Sequence, residues 1–254
     1  MNAILDIFLV TYDKLYDRAI CKLDENELKT ISCYCVQKNV SKDITSLITK
    51  RINEWELPWN NYELQSKQYY EYSTMVHLYN NQHIIQNATH IGLFHYDISF
   101  DQNSINDVIT EINKTPETIF YQKMRTNEQL SLYKHQVDGF CKMLSQGTDI
   151  NVDSDKVWNN GWISECLSIV PKQALLTFAK FLNVYRGNIE YILKNNVWGI
   201  MDICPHRLCG IVERLWGFYL VSLNMPLKQL NVVHDWDSYN HEHMKMNGTG
   251  IATL

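Results

Sequence analysis

The chain has 254 residues, of which 45% are apolar and 20% charged, so it can bury a sizeable core. Its 28 Asp and Glu residues outnumber 23 Lys and Arg, and the net charge of −5 argues against a nucleic-acid binder, which needs a basic face. There is no run of 18 or more apolar residues to predict a membrane span and no recognisable secretory signal, so we expect a cytoplasmic protein.

The first hundred residues alternate short apolar runs with helical patterns. Residues 4–10 are apolar on both faces, which is typical of a strand buried in a mainly parallel sheet, and residues 30–37 predict a second strand. Residues 43–55 predict a short helix. Residues 62–79 predict an amphipathic helix, because their apolar positions recur at three- and four-residue steps. Residues 91–94 predict another buried strand.

The rest of the chain continues the alternation. Helices are predicted over 106–113, 127–144, 172–181, 189–193 and 208–223, and strands over 118–122 and 162–170. No Gly- or Pro-rich linker interrupts the pattern, and the residues after 232 form a polar, His-rich tail. Strands that alternate with helices predict a single α/β domain with a mostly parallel sheet.

The segment that follows the strand at 91–94 carries the clearest chemical signal. Ligands of open α/β sheets bind beyond the carboxyl ends of the strands, and His95 and Asp97 come directly after this strand. Residues i and i+2 of an extended chain point the same way, so the imidazole and the carboxylate can share one divalent ion. Mn²⁺ or Mg²⁺ suits such a mixed site. Ordinary hydrogen bonds at a strand end are the alternative.

An apolar strand followed by His95-Tyr96-Asp97 resembles the Asp-x-Asp motif of GT-A glycosyltransferases, with His95 in the first position. The chain is also similar to the bacterial and viral capsular-polysaccharide glycosyltransferase family, at Tyr62-Glu63-Leu64 and at residues 91–96. That family has a Glu-Leu-Thr helix and a Gly-Leu-x-His-Tyr-Arg-Arg strand end. That family also has a C-terminal stretch with Arg, Gly and Glu-Arg, which is matched here by Arg207, Gly210, Glu213 and Arg214. The chain departs from the family after His-Tyr, where Asp97 and Ile98 replace two arginines.

The resemblance implies a GT-A-like, Rossmann-related fold over residues 1–254, with a mostly parallel central sheet flanked by helices. It implies a nucleotide-sugar half over about 1–101 and an acceptor half over about 102–225, followed by the tail at 232–254. The implied activity is transfer of a sugar from a nucleotide-diphosphate sugar to a glycan acceptor, as in polysaccharide biosynthesis. Mn²⁺ or Mg²⁺ would assist departure of the diphosphate.

The resemblance also assigns roles to single residues. The nucleotide-sugar would contact Thr11, Tyr12, Asp13, Glu63, Lys67, Asn160 and Gly161. A capping Asp in a strand-to-helix turn is the other interpretation of Asp13, and a surface ion pair is the other interpretation of Glu63 and Lys67. The metal would be held by His95, Asp97 and, from the tail, His234.

An inverting transferase needs a carboxylate that deprotonates the acceptor hydroxyl. Three candidates are Glu165, Asp202 and Asp155, and the sequence does not choose among them. On the predicted helix, Arg207, Glu213 and Arg214 favour a buried Glu–Arg pair that locks the helix to the sheet, with a basic group near the diphosphate as the alternative.

Two rival functions stay open at this point. A sugar nucleotidyltransferase would normally carry a Gly-rich phosphate loop after the first strand, and this chain has none there. A non-catalytic nucleotide- or glycan-binding module on the same fold agrees with the replacement of the first Asp of the motif by His95. The seven cysteines are an odd number in apolar surroundings, which favours reduced thiols over a disulfide framework.

Overall fold

The computed structural model describes residues 3–11, 19–36, 47–67, 69, 71–126, 132–202 and 208–234. Within these ranges, only the backbone is described for residues 65, 66, 165, 166, 201, 202 and 234.

The described residues form nine strands. They are β1 (Leu5–Thr11), β2 (Ile31–Cys35), β3 (Arg51–Asn53), β4 (His90–His95), β5 (Ile98–Phe100), β6 (Ile119–Arg125), β7 (Trp162–Pro171), β8 (Leu227–Gln229) and β9 (Val232–His234). Seven of them form a central sheet in the order β3-β2-β1-β4-β7-β6-β8, and β5 pairs with β9 in a separate ribbon. The sheet is mostly parallel, with β7 antiparallel to both of its neighbours.

Eight α-helices surround the sheet within the described part of the chain. They are α1 (Glu25–Leu28), α2 (Tyr62–Ser66), α3 (Glu71–Asn80), α4 (Ser104–Lys114), α5 (Lys134–Thr148), α6 (Ser154–Asn160), α7 (Lys172–Lys194) and α8 (Leu208–Ser222). Short 3₁₀ helices cover Glu54–Glu56, Gln82–Ile85 and Val197–Asp202. None of the described helices is both long and apolar enough to cross a membrane.

Two apolar cores lie on the two faces of the sheet. Alternate residues of β1 explain this: Phe8 and Val10 belong to the core that includes side chains of α3, α5, α7 and α8, whereas Ile7 and Leu9 belong to the core that includes side chains of α4 and the β5–β9 ribbon. All four side chains are fully buried. A strand buried on both faces must be apolar on both faces, which is why residues 4–10 predict it correctly.

Two predicted elements differ in the structure. The helix predicted over 43–55 is wrong where the structure describes it, because Arg51–Asn53 extend the sheet as β3, parallel to β2, and a 3₁₀ turn follows. The prediction for residues 43–46 lies outside the described residues. The helix predicted over 62–79 is divided into α2 and α3. Conversely, the helices predicted over 172–181 and 189–193 are one helix, α7.

Candidate active site

The connectivity of the sheet marks one place for a site. The chain runs outward from β1 to β2 and β3, then returns to the other side of β1 as β4. Strand order therefore reverses between β1 and β4, and open α/β sheets bind ligands in the crevice at such a reversal, beyond the carboxyl ends of the strands. Val10, near the end of β1, lies opposite His95, the last residue of β4.

His95 lies between two carboxylates at this point. Its Nε2 is 3.4 Å from Oε1 of Glu71, the first residue of α3, and its Nδ1 is 3.8 Å from Oδ1 of Asp97. Asp97 is buried in the turn that joins β4 to β5, and the other two side chains are less than one-fifth exposed. A charge or a bound ion in this place would be only partly screened by water.

The β5–β9 ribbon brings the end of the described chain to the same place. β9 runs antiparallel to β5, with His234 opposite Ile98, the residue after Asp97. The pairing thus places the backbone of His234 beside the turn that contains Asp97. Among the described side chains, which do not include that of His234, no group of three or more His, Cys, Asp or Glu is arranged to hold a metal ion.

His95 and Asp97 would supply one nitrogen and one oxygen ligand, a donor set that would suit Mn²⁺ or Mg²⁺. The backbone of His234 lies close to His95 and Asp97. Metal binding by these three residues stays a prediction.

Thr11 ends β1 at the edge of the crevice. Its buried hydroxyl donates to the Leu9 carbonyl (3.2 Å) and accepts from the Cys33 thiol (3.5 Å). The Sγ atoms of Cys33 and Cys35 are 3.7 Å apart; this contact lowers the pKa of Cys33 and raises the pKa of Cys35. The Thr11 hydroxyl is therefore used within the sheet, and its contact with a nucleotide stays a prediction. Tyr12 and Asp13 lie outside the described residues.

Lys67, which follows α2, takes part in an ion-pair cluster on the surface. Its Nζ lies 3.0 Å from Glu190 of α7 and 3.9 Å from Glu63. The Tyr69 hydroxyl donates to the same Glu190, at 3.4 Å. These contacts tie α2 to α7, as the surface ion-pair interpretation of Glu63 and Lys67 expects. Neutralisation of a diphosphate by Lys67 stays a prediction.

Asn160 and Gly161 form the turn between α6 and β7. Gly161 has φ +78°, and a Cβ there would lie 2.6 Å from the Arg125 carbonyl oxygen, so the turn requires glycine. Both residues line a cavity of about 300 Å³, together with Lys156 and Asn224. The role of this turn under a donor sugar stays a prediction.

The three candidate catalytic carboxylates lie in different surroundings. Asp155, in the first turn of α6, is exposed and its carboxylate is 3.0 Å from Lys134. Asp202 ends a 3₁₀ segment, and only its backbone is described. Glu165 lies on β7, which runs antiparallel to β4 and pairs Ser168 with Leu93. Residues that precede Ser168 therefore lie toward the carboxyl end of β4, where His95 is.

The backbone near Glu165 is also irregular. The β6–β7 register shifts between Tyr121, opposite Ser168, and Lys123, opposite Ser164. Three residues of β7 thus oppose one residue of β6. Such bulges redirect side chains and are common beside active sites. Position and irregularity both support Glu165 as a candidate base, and Asp202 and Asp155 stay candidates.

Glu71 is a site residue that the sequence pattern does not reveal. The single helix predicted over 62–79 put this residue in mid-helix, whereas the structure begins α3 there, directly beside His95. Arg214 is buried on α8. Its Nη1 donates to the Gly210 carbonyl (2.6 Å) and its guanidinium lies 5.9 Å from the centroid of the Trp162 ring, so a carbonyl and an indole help to anchor it. Its pairing with Glu213 stays a prediction.

Neither a protein-family model nor a curated protein matches this sequence. A solved structure of the WbbM bifunctional glycosyltransferase in its apo form matches 90% of the chain, with 13% identity and a TM-score of 0.59. The chain spans 45% of the length of that protein. The galactosyltransferase LgtC, in complex with donor and acceptor sugar analogues, matches 98% of the chain and 97% of its own, but at 8% identity and a TM-score of 0.39 this likeness supports no argument.

Identity this low shows the fold alone. The mostly parallel central sheet, the helices on its faces and the match to the WbbM glycosyltransferase together confirm that the chain has the GT-A-like fold predicted from its sequence.

Proposed function

We propose that this chain is a glycosyltransferase that moves a sugar from a nucleotide-diphosphate sugar to a glycan acceptor. The observation that carries the proposal is the position of His95 and Asp97, at the carboxyl end of β4 and at the strand-order reversal of a fold shared with a glycosyltransferase. Fold alone does not define an activity, so the polar cluster at this position is the necessary second argument.

The demanding event in glycosyl transfer is the build-up of negative charge on the departing diphosphate. His95, Asp97 and His234 would hold Mn²⁺ or Mg²⁺, which acts as a Lewis acid on phosphate oxygens. Glu165 would accept the proton of the acceptor hydroxyl, with Asp202 and Asp155 as the other candidates. Thr11, Tyr12 and Asp13 would contact the nucleoside.

The proposal includes a cytoplasmic location, which the odd number of cysteines in apolar surroundings favours. The cysteines described as free thiols are Cys21, Cys33, Cys35, Cys141 and Cys209. The Sγ atoms of Cys33 and Cys35 are 3.7 Å apart. Reduced thiols are typical of proteins kept in a reducing compartment. Synthesis of a surface polysaccharide from cytoplasmic nucleotide-sugars would agree with this location.

The test is the thermal stability of the full chain with each member of a panel of nucleotide-diphosphate sugars, with and without Mn²⁺. A ligand at 100 times its Kd stabilises the folded state by about 2.7 kcal/mol, which a melting curve resolves. Stabilisation by one donor that requires Mn²⁺, with release of the nucleoside diphosphate, would support the proposal. Stabilisation without release would identify a binding module, and no response to any donor would contradict both.

Asp97→Asn provides the first specific prediction. The substitution keeps the size of this buried side chain but removes its charge, so we expect Mn²⁺-dependent release of nucleoside diphosphate to fall at least about 100-fold. Asp107→Asn, on the exposed face of α4, is the matched control and should keep full activity. Equal activity of the two variants would remove Asp97 from the site.

A further inference from the structure

Glu71 occupies a position that the proposed reaction does not yet explain. It is the first residue of α3, its side chain is 13% exposed, and its Oε1 lies 3.4 Å from Nε2 of His95. A carboxylate is favourable in the first turn of a helix, because the unpaired backbone N–H groups there attract negative charge. Glu71 thus presents its carboxylate to the imidazole of His95 from the first turn of α3.

The two ring nitrogens of His95 face different carboxylates. Nε2 lies toward Glu71, and Nδ1 lies toward Asp97, on the side of the turn between β4 and β5. A neutral imidazole carries one proton, and the partner of one nitrogen decides which tautomer forms. A carboxylate that accepts from Nε2–H leaves the lone pair on Nδ1. Histidine ligands of metals are commonly oriented in this way by a carboxylate outside the metal.

We propose that Glu71 is a positioning residue that accepts a hydrogen bond from Nε2–H of His95 and so directs the Nδ1 lone pair toward the Asp97 side of the site. The inference rests on the proposed function, since it assigns His95 Nδ1 as the atom that binds the divalent ion. The tautomer of His95, however, can be tested in the protein without metal or donor.

The tautomer can be measured directly. Long-range ¹H–¹⁵N correlation spectra of the full chain without metal, at about pH 7.5, distinguish Nε2–H, Nδ1–H and imidazolium forms, and His95→Gln identifies the His95 signals. We expect the Nε2–H form in the native protein. Glu71→Ala should give a mixture of tautomers, whereas Glu71→Gln, which keeps an oxygen acceptor, should restore most of the native pattern. Glu117→Ala removes an exposed carboxylate and should change nothing.

The second readout is Mn²⁺ binding, followed by electron paramagnetic resonance on the same proteins. Loss of an outer carboxylate that orients a histidine ligand weakens metal binding about 10- to 100-fold, and we expect this loss for Glu71→Ala. Thermal unfolding of each variant confirms that it is folded.

The outcomes separate the two proposals. A native His95 in the Nδ1–H or imidazolium form, or a Glu71→Ala spectrum identical to the native one, would overturn the role of Glu71, whatever the activity. Absence of Mn²⁺ and donor binding together with an Nε2–H tautomer that depends on Glu71 would instead contradict the proposed function and leave the hydrogen bond established.

Discussion

His77 of α3 is fully buried, and both of its ring nitrogens have contacts. Nδ1 is 2.7 Å from the Ser73 carbonyl oxygen and Nε2 accepts from the Asn61 N–H at 3.0 Å. The Glu54 carboxylate is 3.4 Å from Nδ1. Burial, which disfavours the charged ring, lowers the pKa of His77 to about 4, although the hydrogen bond to Ser73 acts in the opposite direction. The hydrogen bonds define a neutral imidazole protonated on Nδ1.

This environment predicts a loss of stability in acid. The unfolded chain binds a proton at His77 below about pH 6.5, whereas the folded chain binds it only near pH 4, so stability falls as the pH drops through this window, by roughly 3 kcal/mol in total. Burial also lowers the pKa of His90, so His90 adds to the loss of stability in acid. Urea unfolding at pH 7 and pH 4.5 measures the slope.

His77→Gln should reduce that slope, even though it lowers the stability at pH 7. His83→Gln, at an exposed position of the neighbouring 3₁₀ turn, is the matched control and should keep the native slope. An unchanged slope in His77→Gln would show that other groups govern the acid sensitivity.

Single residues of the candidate site differ in how far the sequence could identify them. His95 and Asp97 are found by their position directly after a buried strand, because ligands of open α/β sheets bind beyond the carboxyl ends of the strands. The extended chain predicted for them is a turn at Tyr96 and Asp97. Glu71 is 24 positions before His95, and nothing in the spacing connects the two. Their contact depends on where α3 begins, and no Gly or Pro marks that start in the sequence. Short-range patterns therefore missed it.

Helices and strands were predictable from the sequence where each face is clearly buried or clearly exposed. β1 and β4 are buried on both faces, and α4 has a clear apolar stripe, so the sequence pattern matches the structure. β3 is a three-residue edge strand with an exposed and two half-buried side chains. Its extended conformation comes from pairing with β2, a tertiary contact that overrides the local helical pattern.

The packing of α8 on β7 yields a prediction at the element scale. A Cβ at Gly217 of α8 would lie 2.0 Å from the Ile163 carbonyl oxygen and 2.5 Å from the Trp162 ring, so this helix contacts the strand directly through its glycine. Gly217→Ala should force the two elements apart and lower the free energy of unfolding by about 1–3 kcal/mol or more. Denaturant unfolding measures the change.

Gly187 of α7 is the matched control. No atom lies within 4 Å of a Cβ placed there. Gly187→Ala should therefore raise the free energy of unfolding by about 0.5–1 kcal/mol, because alanine is the better helix former. A destabilised Gly187→Ala, or a neutral Gly217→Ala, would contradict the described packing.

At the scale of the whole molecule, the sheet crosses the boundary between the two halves predicted from the sequence. β4 belongs to the nucleotide-sugar half, and its neighbour β7 belongs to the acceptor half. Lys67 and Tyr69 of the first half contact Glu190 of the second. A fragment that ended near residue 101 would leave β4 with an unpaired edge, which favours aggregation. The halves thus describe roles proposed for the two ends of one sheet.

The continuous sheet predicts that the chain unfolds in one cooperative transition. Strands that share a ladder and a core lose each other's stabilisation together, so we expect amide groups of β1 and of β7 to exchange with the same opening free energy, within about 1 kcal/mol. Hydrogen exchange followed by mass spectrometry measures both strands in one experiment. A donor that binds only at the end of β4 should then slow exchange in β1 and β7 equally. Protection confined to β1 would show that the halves open separately.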